Sequence, residues 1–422
     1  MDEFAQRLAE LCNNHYSKLP SKGKPGPSNW TNLSAVVKET NKDLTVVSMA
    51  TGTKCIGENA KNCWTVSDSH AEVLCLRLFR LFLAEEIKSA LHNTNTSCLV
   101  RDGQSYFKVA TGTIFHFYTS CIMCGDATIS KEADSNGSCS TSEAMSLYRN
   151  SRTCKRSPEP SNHAHKVQKC VNMNDNLIRT GAKSIVSDDL FSEDLQSRSW
   201  GQLSLLRTKP GRGPLSLSLS CSDKLMKRQY LGLQGGLLSV FILTPIRFAT
   251  FVIGGNFAID SVKRALFDRL PSCDSIVEAD IAKVADTFVH SLTNTQSRCS
   301  QTPSPSDASI LWVKQGMSSK HCVGVKGKTQ GATKRSLPHK VMLPVCRREM
   351  FAAAQLIHAK ICRDEHDNKS STNLIESDKE FMVAYKHFQS ESNYRTAKEA
   401  MCKHFQGWDR KSLHVGNCNA TQ

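Results

Sequence analysis

The alternation of apolar and polar positions along the sequence predicts an α/β chain. Apolar residues wrap almost all round the stretch from Asp68 to Leu91, which predicts a long helix that Ser67 or Asp68 caps. Thr113 to Tyr118 (TIFHFY) is rich in β-branched and aromatic residues, and we predict strands there and at Thr45 to Met49. The long helix is expected to lie in the core, because it has no polar face.

The same patterns predict four more elements. Glu3 to Tyr16 and Ile259 to Leu270 are predicted to be helices, and the segment PIRFATFVIGG (245–255) is predicted to be a strand. Ser377 to Phe405 predicts a helical tail in which lysines and aromatic residues are interleaved.

Two stretches lack such periodicity. Residues 131–176 are polar and rich in serine, which predicts a disordered surface insertion, and residues 296–309 predict a flexible loop. His163, His165 and Cys170 in the insertion could form a second metal site. We favour the simpler interpretation, a loop with incidental histidines.

Length and composition limit the class of protein. The 422 residues, 39% of them hydrophobic, suffice for one large domain, and no run of 18 apolar residues predicts a membrane span. The N-terminus lacks a signal-peptide core, so we expect reduced thiols for the 18 cysteines and an intracellular location, cytoplasmic, nuclear or both. A net charge of +15 favours a polyanionic partner such as nucleic acid, although a merely basic surface is the simpler alternative. No obligatory protein partner is evident.

The triplet His70-Ala71-Glu72, near the start of the predicted long helix, is compatible with a zinc site. Histidine and cysteine are standard zinc ligands, and three of them leave a position for a water molecule whose pKa zinc lowers to about 7. A carboxylate such as Glu72 beside the metal can take the water's proton and deliver it to a leaving amine. Ser69 and Glu72 also fit the S-x-x-E capping box, however, and the triplet alone favours this simpler role.

Two cysteines change that balance. Cys124 lies in CGDA after the predicted strand TIFHFY, and Cys221 lies in SCSDK. SHAE, CGDA and SCSDK, in this order, resemble the adenosine deaminases that act on RNA and their tRNA relatives. The resemblance covers most of the chain and includes the segments TGTKC (51–55), LLRTKPGRG (205–213) and CSDKLMKRQYLGLQGGLLS (221–239).

This resemblance implies one adenosine-deaminase domain over residues 1–422. The implied fold is α/β, with a cytidine-deaminase-like core in which helices flank a mixed central sheet, and with a C-terminal helical part that encloses a polyanion. It also implies a zinc ion bound by His70, Cys124 and Cys221, with Glu72 as the proton carrier.

The zinc ligands have one competing assignment. Cys121 and Cys124 form a C-x-x-C, and in the cytidine-deaminase type both cysteines of that motif bind zinc. Ser120 rather than proline precedes it here, and GDA follows Cys124 as it follows the ligand in the resembling family, so we favour Cys124 and Cys221. The chain departs from the family at Met123, where proline is usual, and at residues 226–229 (MKRQ), where A-R-W-N is usual.

The substrate is also inferred from the resemblance. Thr53 and Lys54 are implied to lie near the target nucleotide, although TGTKC could equally be an ordinary glycine turn. Arg212 stands where the mRNA-editing members have an acidic residue that fills the gap left by a flipped base, so we do not expect duplex base flipping. A base exposed in a loop needs little unstacking. The resemblance is strongest to the tRNA-specific members, which implies conversion of adenosine to inosine at position 37, in the anticodon loop of alanine tRNA.

The family also buries inositol hexakisphosphate, a ligand that requires many Lys and Arg side chains. Leu76, Ser67 and Gly236 depart from the family, which has Arg, Asn and Ser there. The simpler alternative for the tail lysines is a solvated helix face. The matching positions are Arg77, Lys224, Lys227, Lys328, Tyr394, Lys398, Trp408 and Lys411.

Three functions therefore remain in view. The leading hypothesis is hydrolytic deamination of adenosine in tRNA. The alternatives are a double-stranded-RNA editing enzyme, which Arg212 disfavours, and an inactive zinc-containing RNA-binding protein. The presence of Glu72 disfavours the inactive protein, because a structural zinc site has no need of a neighbouring carboxylate.

Overall fold

A large mixed sheet with helices on both faces forms the centre of the molecule. The predicted insertion at 131–176 lies outside the described residues. The computed structural model of the chain describes residues 1–57, 60–92, 97–129, 203–209, 216–271, 278–365, 378–390 and 392–405.

The large sheet has the strand order β10-β9-β8-β2-β3-β12-β13-β14. Strands β8, β9 and β10 run parallel, and the other neighbours are antiparallel. The strands of the described residues are β1 (Asn29–Trp30), β2 (Leu33–Thr40), β3 (Asp43–Thr51), β4 (Thr53–Cys55), β5 (Asp68–His70), β6 (Leu99–Arg101), β7 (Phe107–Val109), β8 (Thr113–Thr119), β9 (Thr250–Gly254), β10 (Asp280–Val284), β11 (Ser304–Pro305), β12 (Ala308–Gln315), β13 (Ser318–Val325) and β14 (Lys328–Thr329).

The helices divide between the two faces and the C-terminal part of the chain. None of the described helices is long and apolar enough to cross a membrane. The helices are α1 (Asp2–Lys18), α2 (Ala71–Leu91), α3 (Cys221–Leu231), α4 (Gly235–Leu238), α5 (Ile259–Lys263) with a π-helical turn (Arg264–Asp268) after it, α6 (Leu292–Arg298), α7 (Arg347–Glu365), α8 (Asp378–Ser390) and α9 (Tyr394–His404), with 3-10 turns at Asp126–Thr128 and Pro338–Lys340.

Two hydrophobic cores lie on opposite faces of the sheet, because successive side chains of a strand point to opposite sides. In β2, Val36 packs in the core under α2, whereas its neighbour Val37 packs in the core under α1. In β8, Phe117 and Tyr118 divide in the same way. Both faces are covered, so most residues of these two strands are buried whichever face they point to.

Helix α2 is buried, as its apolar residues predict, but it begins at Ala71 rather than at Asp68. Its first residue is Ala71, its N-cap is His70, and no side chain caps it. Asp68 to His70 instead form β5, which pairs with β4 and holds this backbone extended. The predicted caps and the capping-box role of Glu72 are therefore wrong.

Several other predicted elements are confirmed. The predicted strands at 45–49 and 113–118 lie within β3 and β8, and the N-terminal helix is α1. The predicted helix at 259–270 is shorter and continues as a π-helical turn, and the predicted tail consists of two helices, α8 and α9. Residues 296–309 contain more regular structure than a loop, since β11 pairs with β1 there.

The C-terminal helices form a layer beside α2. Helix α7 packs against α2 and α4, and α8 and α9 pack on α4. Phe351 on α7 contacts Phe381 and Phe388 on α8, each with ring centroids 5.6 Å apart. Helix α9 also packs on α3, where Tyr394 accepts a hydrogen bond from Arg228, and α3 carries Cys221 at its first position.

Candidate metal centre

Three side chains predicted to bind zinc lie together at one end of the sheet. His70, Cys124 and Cys221 have ligand atoms within 4.8 Å of one another. His70 Nδ1 lies 3.6 Å from Cys221 Sγ, and the backbone N–H of Cys221 donates to Cys124 Sγ at 3.3 Å. Two thiols and an imidazole at this spacing are a donor set that suits a tetrahedral zinc ion with one open position.

A glycine allows the two cysteine segments to approach. Gly125 has φ +110°, and a Cβ on it would overlap the side chains of Ser220 and Ser222. Ser222 also donates its backbone N–H to the carbonyl of Cys124 at 3.0 Å. Because only glycine combines this backbone conformation with such close contact, the sequence CGDA places Cys124 directly beside the start of α3.

Cys121 is not part of this group of ligand atoms. It belongs to neither of the two ligand clusters in the described residues, and burial raises the pKa of its thiol well above the usual range. The competing assignment of Cys121 and Cys124 is therefore disfavoured by the position of Cys121.

The second cluster consists of Cys55, Asp68 and His70. Asp68 already accepts hydrogen bonds from Lys224 and from Ser218 Oγ, the latter at 3.1 Å. A carboxylate satisfied in this way is a poorer metal ligand than a free thiolate, so the cluster with Cys124 and Cys221 is the better candidate.

A buried lysine adjoins both thiols. Lys209 Nζ lies 2.6 Å from Cys221 Sγ and 3.5 Å from Cys124 Sγ. A hydrogen bond from Cys221 lowers the pKa of Cys124 well below its usual value, and the charges of Lys209 and His70 act in the same direction against burial. Cys124 is therefore favoured as the thiolate, the form that binds metal, whereas burial and the neighbouring Cys124 raise the pKa of Cys221 well above its usual range. Sequence reasoning missed Lys209, although it lies within LLRTKPGRG.

Asp68 connects this lysine to a second one. Its carboxylate is 3.6 Å from Lys209 Nζ and forms an ion pair with Lys224, which also donates to Ser218 Oγ at 2.6 Å. Burial opposes ionisation of Asp68, but Lys209 and Lys224 outweigh it and hold its pKa well below the usual range. The thiols, Lys209, Asp68 and Lys224 are therefore in contact one after another.

Glu72 lies in the first turn of α2 and is 1% exposed. Its Oε2 atom has no hydrogen-bond partner among the described residues, and neither has the buried Oγ1 of Thr53. A buried carboxylate oxygen without a partner is costly, so its position indicates a ligand or water that it would contact. Thr53 pairs with His70 between β4 and β5, which places its hydroxyl near the same site.

The other predicted substrate residues are less informative. Lys54 is half-exposed and forms an ion pair with Asp307 at 3.2 Å. Arg212 lies outside the described residues.

A network of buried ion pairs supports the two cysteine segments. Asp223 pairs with Arg269 at 2.6 Å and accepts from the backbone N–H of Arg207 at 2.9 Å. Asp126 pairs with Arg264 at 3.0 Å. Each aspartate follows a cysteine ligand by two residues, so the network fixes the backbone from which both thiols project. It was also missed from sequence.

A second cluster of charge lies behind α2, among the predicted polyanion ligands. Burial lowers the pKa of Lys227 to about 8, and Arg228 and Lys398 act in the same direction. Burial opposes ionisation of Tyr394, but Arg228, Lys227 and Arg80 outweigh it and lower its pKa to about 8. The cationic charges therefore raise one another's energy, which an anionic ligand would relieve.

Two arginines in this cluster were not predicted. Arg80 and Arg228 line a cavity of about 50 Å³ together with Gly236 and Tyr394. Burial, and then Arg228 and Arg77, lower the pKa of Arg80 well below its usual range. Arg80 lies one helical turn after Leu76, the position at which the resembling family has an arginine, so the charge is shifted along the same face of α2.

The remaining predicted polyanion ligands are divided. Arg77 donates to the carbonyl of Val345 at 2.7 Å, and its pKa is lowered by burial and by Arg347. Lys328 lies half-buried on β14, and no described contact joins it to this cluster. Trp408 and Lys411 lie outside the described residues.

A protein-family model defines the class of this chain. The model of the adenosine-deaminase (editase) domain matches residues 48–412. The chain therefore belongs to the adenosine-deaminase (editase) domain family, as the motifs predicted. The family is zinc-dependent, and the described residues contain a matching group of ligands.

The chain is also similar to individual members. It is 28% identical to human tRNA-specific adenosine deaminase 1 over 481 aligned residues. This alignment covers 91% of this chain and 94% of the human protein. It is 33% identical over 274 residues to tRNA-specific adenosine deaminase 1 of Drosophila melanogaster, covering 63% and 59% of the two chains. The rat double-stranded RNA-specific adenosine deaminase is 26% identical over 274 residues, which are 63% of this chain but 21% of that protein.

Proposed function

We propose that this protein hydrolyses adenosine to inosine in tRNA, and that its target is position 37 of alanine tRNA. The observation that carries the proposal is the group of His70, Cys124 and Cys221 with the unpartnered carboxylate of Glu72 on the adjoining helical turn. The similarity to tRNA-specific deaminases over 91% of the chain supports tRNA as the substrate.

His70, Cys124 and Cys221 would hold the zinc ion. When bound, zinc would activate a water molecule as the nucleophile that adds to C6 of adenine. Glu72 accepts a proton from the water and returns it to the leaving amine, so that water and adenosine give inosine and ammonia. Lys209 lies beside both thiols and helps to lower the pKa of Cys124. The hydroxyl of Thr53, which has no hydrogen-bond partner among the described residues, is available to orient the nucleotide.

The two alternatives are less well supported. A duplex-editing function draws on the similarity to the double-stranded-RNA enzymes, which is shorter and weaker than that to the tRNA-specific enzymes. An inert RNA-binding protein would leave Glu72 buried and unsatisfied without a benefit. The cysteines of the described residues are free thiols, which supports our further proposal that the enzyme acts inside the cell, in the cytoplasm or nucleus.

The test compares wild-type protein with Glu72→Gln. Each is incubated with alanine tRNA and with a long RNA duplex, and inosine is located by sequencing. We expect inosine at position 37 of the tRNA with wild type, and at least a 100-fold lower rate with the variant. Inosine in the duplex alone would favour the editing enzyme, and none in either RNA would favour the inert protein.

We further propose that the cationic cluster behind α2 binds inositol hexakisphosphate. Arg77, Arg80 and Arg228 form no ion pair with a carboxylate in the described part of the chain, so a polyanion is the partner that their burial requires. Lys224 lies about one helical turn before Lys227 and Arg228 on α3 and pairs with Asp68, which would make zinc binding depend on the polyanion.

Native mass spectrometry of protein purified from a eukaryotic host tests this proposal. We expect a bound mass equal to one inositol hexakisphosphate per chain, and its loss in Arg80→Met/Arg228→Met. Protein that carries zinc and is active but holds no inositol polyphosphate would contradict it.

A further inference from the structure

Several basic side chains that the proposed chemistry does not use lie together beyond the C-terminal end of α1. Lys24 Nζ donates to the carbonyl of Ser17 at 2.9 Å and lies 5.0 Å from the ring centre of Tyr16. Arg298 Nε donates to the carbonyl of Asn294 at 2.9 Å. We call this surface the rim patch, which consists of Lys22, Lys24, His290, Arg298 and His321.

The members of the rim patch repel one another. Burial lowers the pKa of His290, and the charges of Arg298 and Lys24 lower it further. Burial likewise lowers the pKa of His321, with Lys22 and Lys24 acting in the same direction. Tyr16 lies between two members of the patch, with its ring centre 5.0 Å from Lys24 Nζ and 5.9 Å from the ring centre of His290. Segments far apart in sequence therefore meet at this surface.

No carboxylate balances these charges within the described residues. The ion pairs there involve Lys54, Lys88, Lys108 and other cations, but none of Lys22, Lys24 or Arg298. Ordinary soluble surfaces intersperse both signs of charge, because unbalanced charge costs free energy. Two of the cations are also held by backbone carbonyls, so the patch is partly preorganised to contact a polyanion.

The rim patch lies at the same end of the sheet as the metal centre. Ala71, next to the ligand His70, donates its N–H to Gly52, and Gly52 donates to Asn32, at 2.9 and 3.2 Å. Thr31, the next residue back, donates to the carbonyl of His290 at 2.9 Å. The segment Thr31–Asn32 therefore connects His290 of the patch to the backbone beside the ligand His70, and both lie beyond the carboxyl ends of the parallel strands.

We propose that the rim patch binds the phosphate backbone of the RNA substrate outside the nucleotide that is deaminated. The RNA would then be held at two places, by the pocket around Glu72 and by this surface. The inference rests on the proposed function only in taking RNA as the substrate. Phosphate contacts of this kind position a nucleic acid without reading its sequence.

The test is a matched pair of triple variants. Lys22→Gln/Lys24→Gln/Arg298→Gln removes three charges from the rim patch. Arg7→Gln/Lys38→Gln/Lys42→Gln removes three charges near the β2–β3 turn, at the opposite end of the sheet. For each protein, the Kd for alanine tRNA is measured between 50 and ~300 mM salt, together with kcat, KM and bound zinc.

We expect the rim variant alone to bind tRNA about 10- to 100-fold more weakly at physiological salt. The slope of log K against log salt should fall by about 2–3, since each lost phosphate contact removes 0.7–0.9. KM should rise in proportion while kcat at saturating tRNA and the zinc content stay at the wild-type values. A slope and a KM equal to those of the control triple variant would overturn the proposal.

A charge-conserving variant guards against a purely structural effect. Lys22→Arg/Lys24→Arg/Arg298→Lys should retain the wild-type slope, and if it instead weakens binding as much as the glutamine variant, the proposal is overturned. The binding assay also separates this proposal from the proposed function. Wild-type protein that makes no inosine in any RNA refutes the deaminase activity, whereas the salt slopes decide whether the rim patch contacts RNA.

Discussion

Asp68→Asn removes one negative charge from between two lysine ammonium groups. Asp68 is 2% exposed, and the side chain of Lys209 is 1% exposed. Breaking a buried ion pair by removing one partner typically costs 3–5 kcal/mol, because the other charge remains buried without compensation. We expect a loss of about 3–5 kcal/mol here, a large part of the roughly 5–15 kcal/mol that stabilises a typical domain.

Asp307→Asn is the matched control. Asp307 also pairs with a lysine, Lys54, but the two side chains are 75% and 41% exposed, so the same chemical change should cost less than about 1 kcal/mol. Urea unfolding followed by tryptophan fluorescence gives the two stabilities, and mass spectrometry of the metal gives the zinc content. The reasoning is refuted if Asp68→Asn stays within 1 kcal/mol of wild type and retains its zinc.

Three further predictions concern the metal and polyanion sites. Gly125→Ala should lower the free energy of unfolding by at least about 1–2 kcal/mol because of the backbone conformation, and it should also lower zinc occupancy. In the control Gly255→Ala, where φ is +89° and the space is open, only the conformational cost is expected. Equal zinc occupancy in the two variants would contradict the close approach of Gly125 to Ser220. Cys121→Ser should retain about one zinc per chain and Cys221→Ser should lose it, and the reverse result would move the ligand assignment to Cys121. In protein stripped of polyanion, Tyr394 should ionise with a pKa of about 8, and added inositol hexakisphosphate should raise that pKa by neutralising Arg228 and its neighbours. Ultraviolet titration of wild type and of Tyr394→Phe measures this ionisation. If the two proteins titrate alike, with no tyrosine that ionises early, the predicted cluster of cations around Tyr394 is contradicted.

Motifs in order along the chain were sufficient to find the metal ligands. His70, Cys124 and Cys221 are separated by long stretches of sequence, yet SHAE, CGDA and SCSDK identified each of them within a short local pattern. The buried character of α2 and the strand β8 were likewise predictable, since both follow from local hydrophobic patterns.

The charges around the ligands were not predictable in the same way. Asp68 and Lys224 are 156 residues apart, and nothing local in either segment indicates that they form an ion pair. Arg80 lies within a helix that is otherwise largely apolar, and no local motif marks it as part of a binding site. The start of α2 was mispredicted for a similar reason, because pairing of β4 with β5 is a tertiary feature that overrides local capping signals.

The most direct test of the central claim is the inosine yield of Glu72→Gln in alanine tRNA at equal zinc content. We predict that the variant binds about one zinc per chain and binds tRNA as wild type does, yet deaminates position 37 at least 100-fold more slowly. A variant that retains both zinc and the wild-type rate would show that Glu72 does not carry the proton.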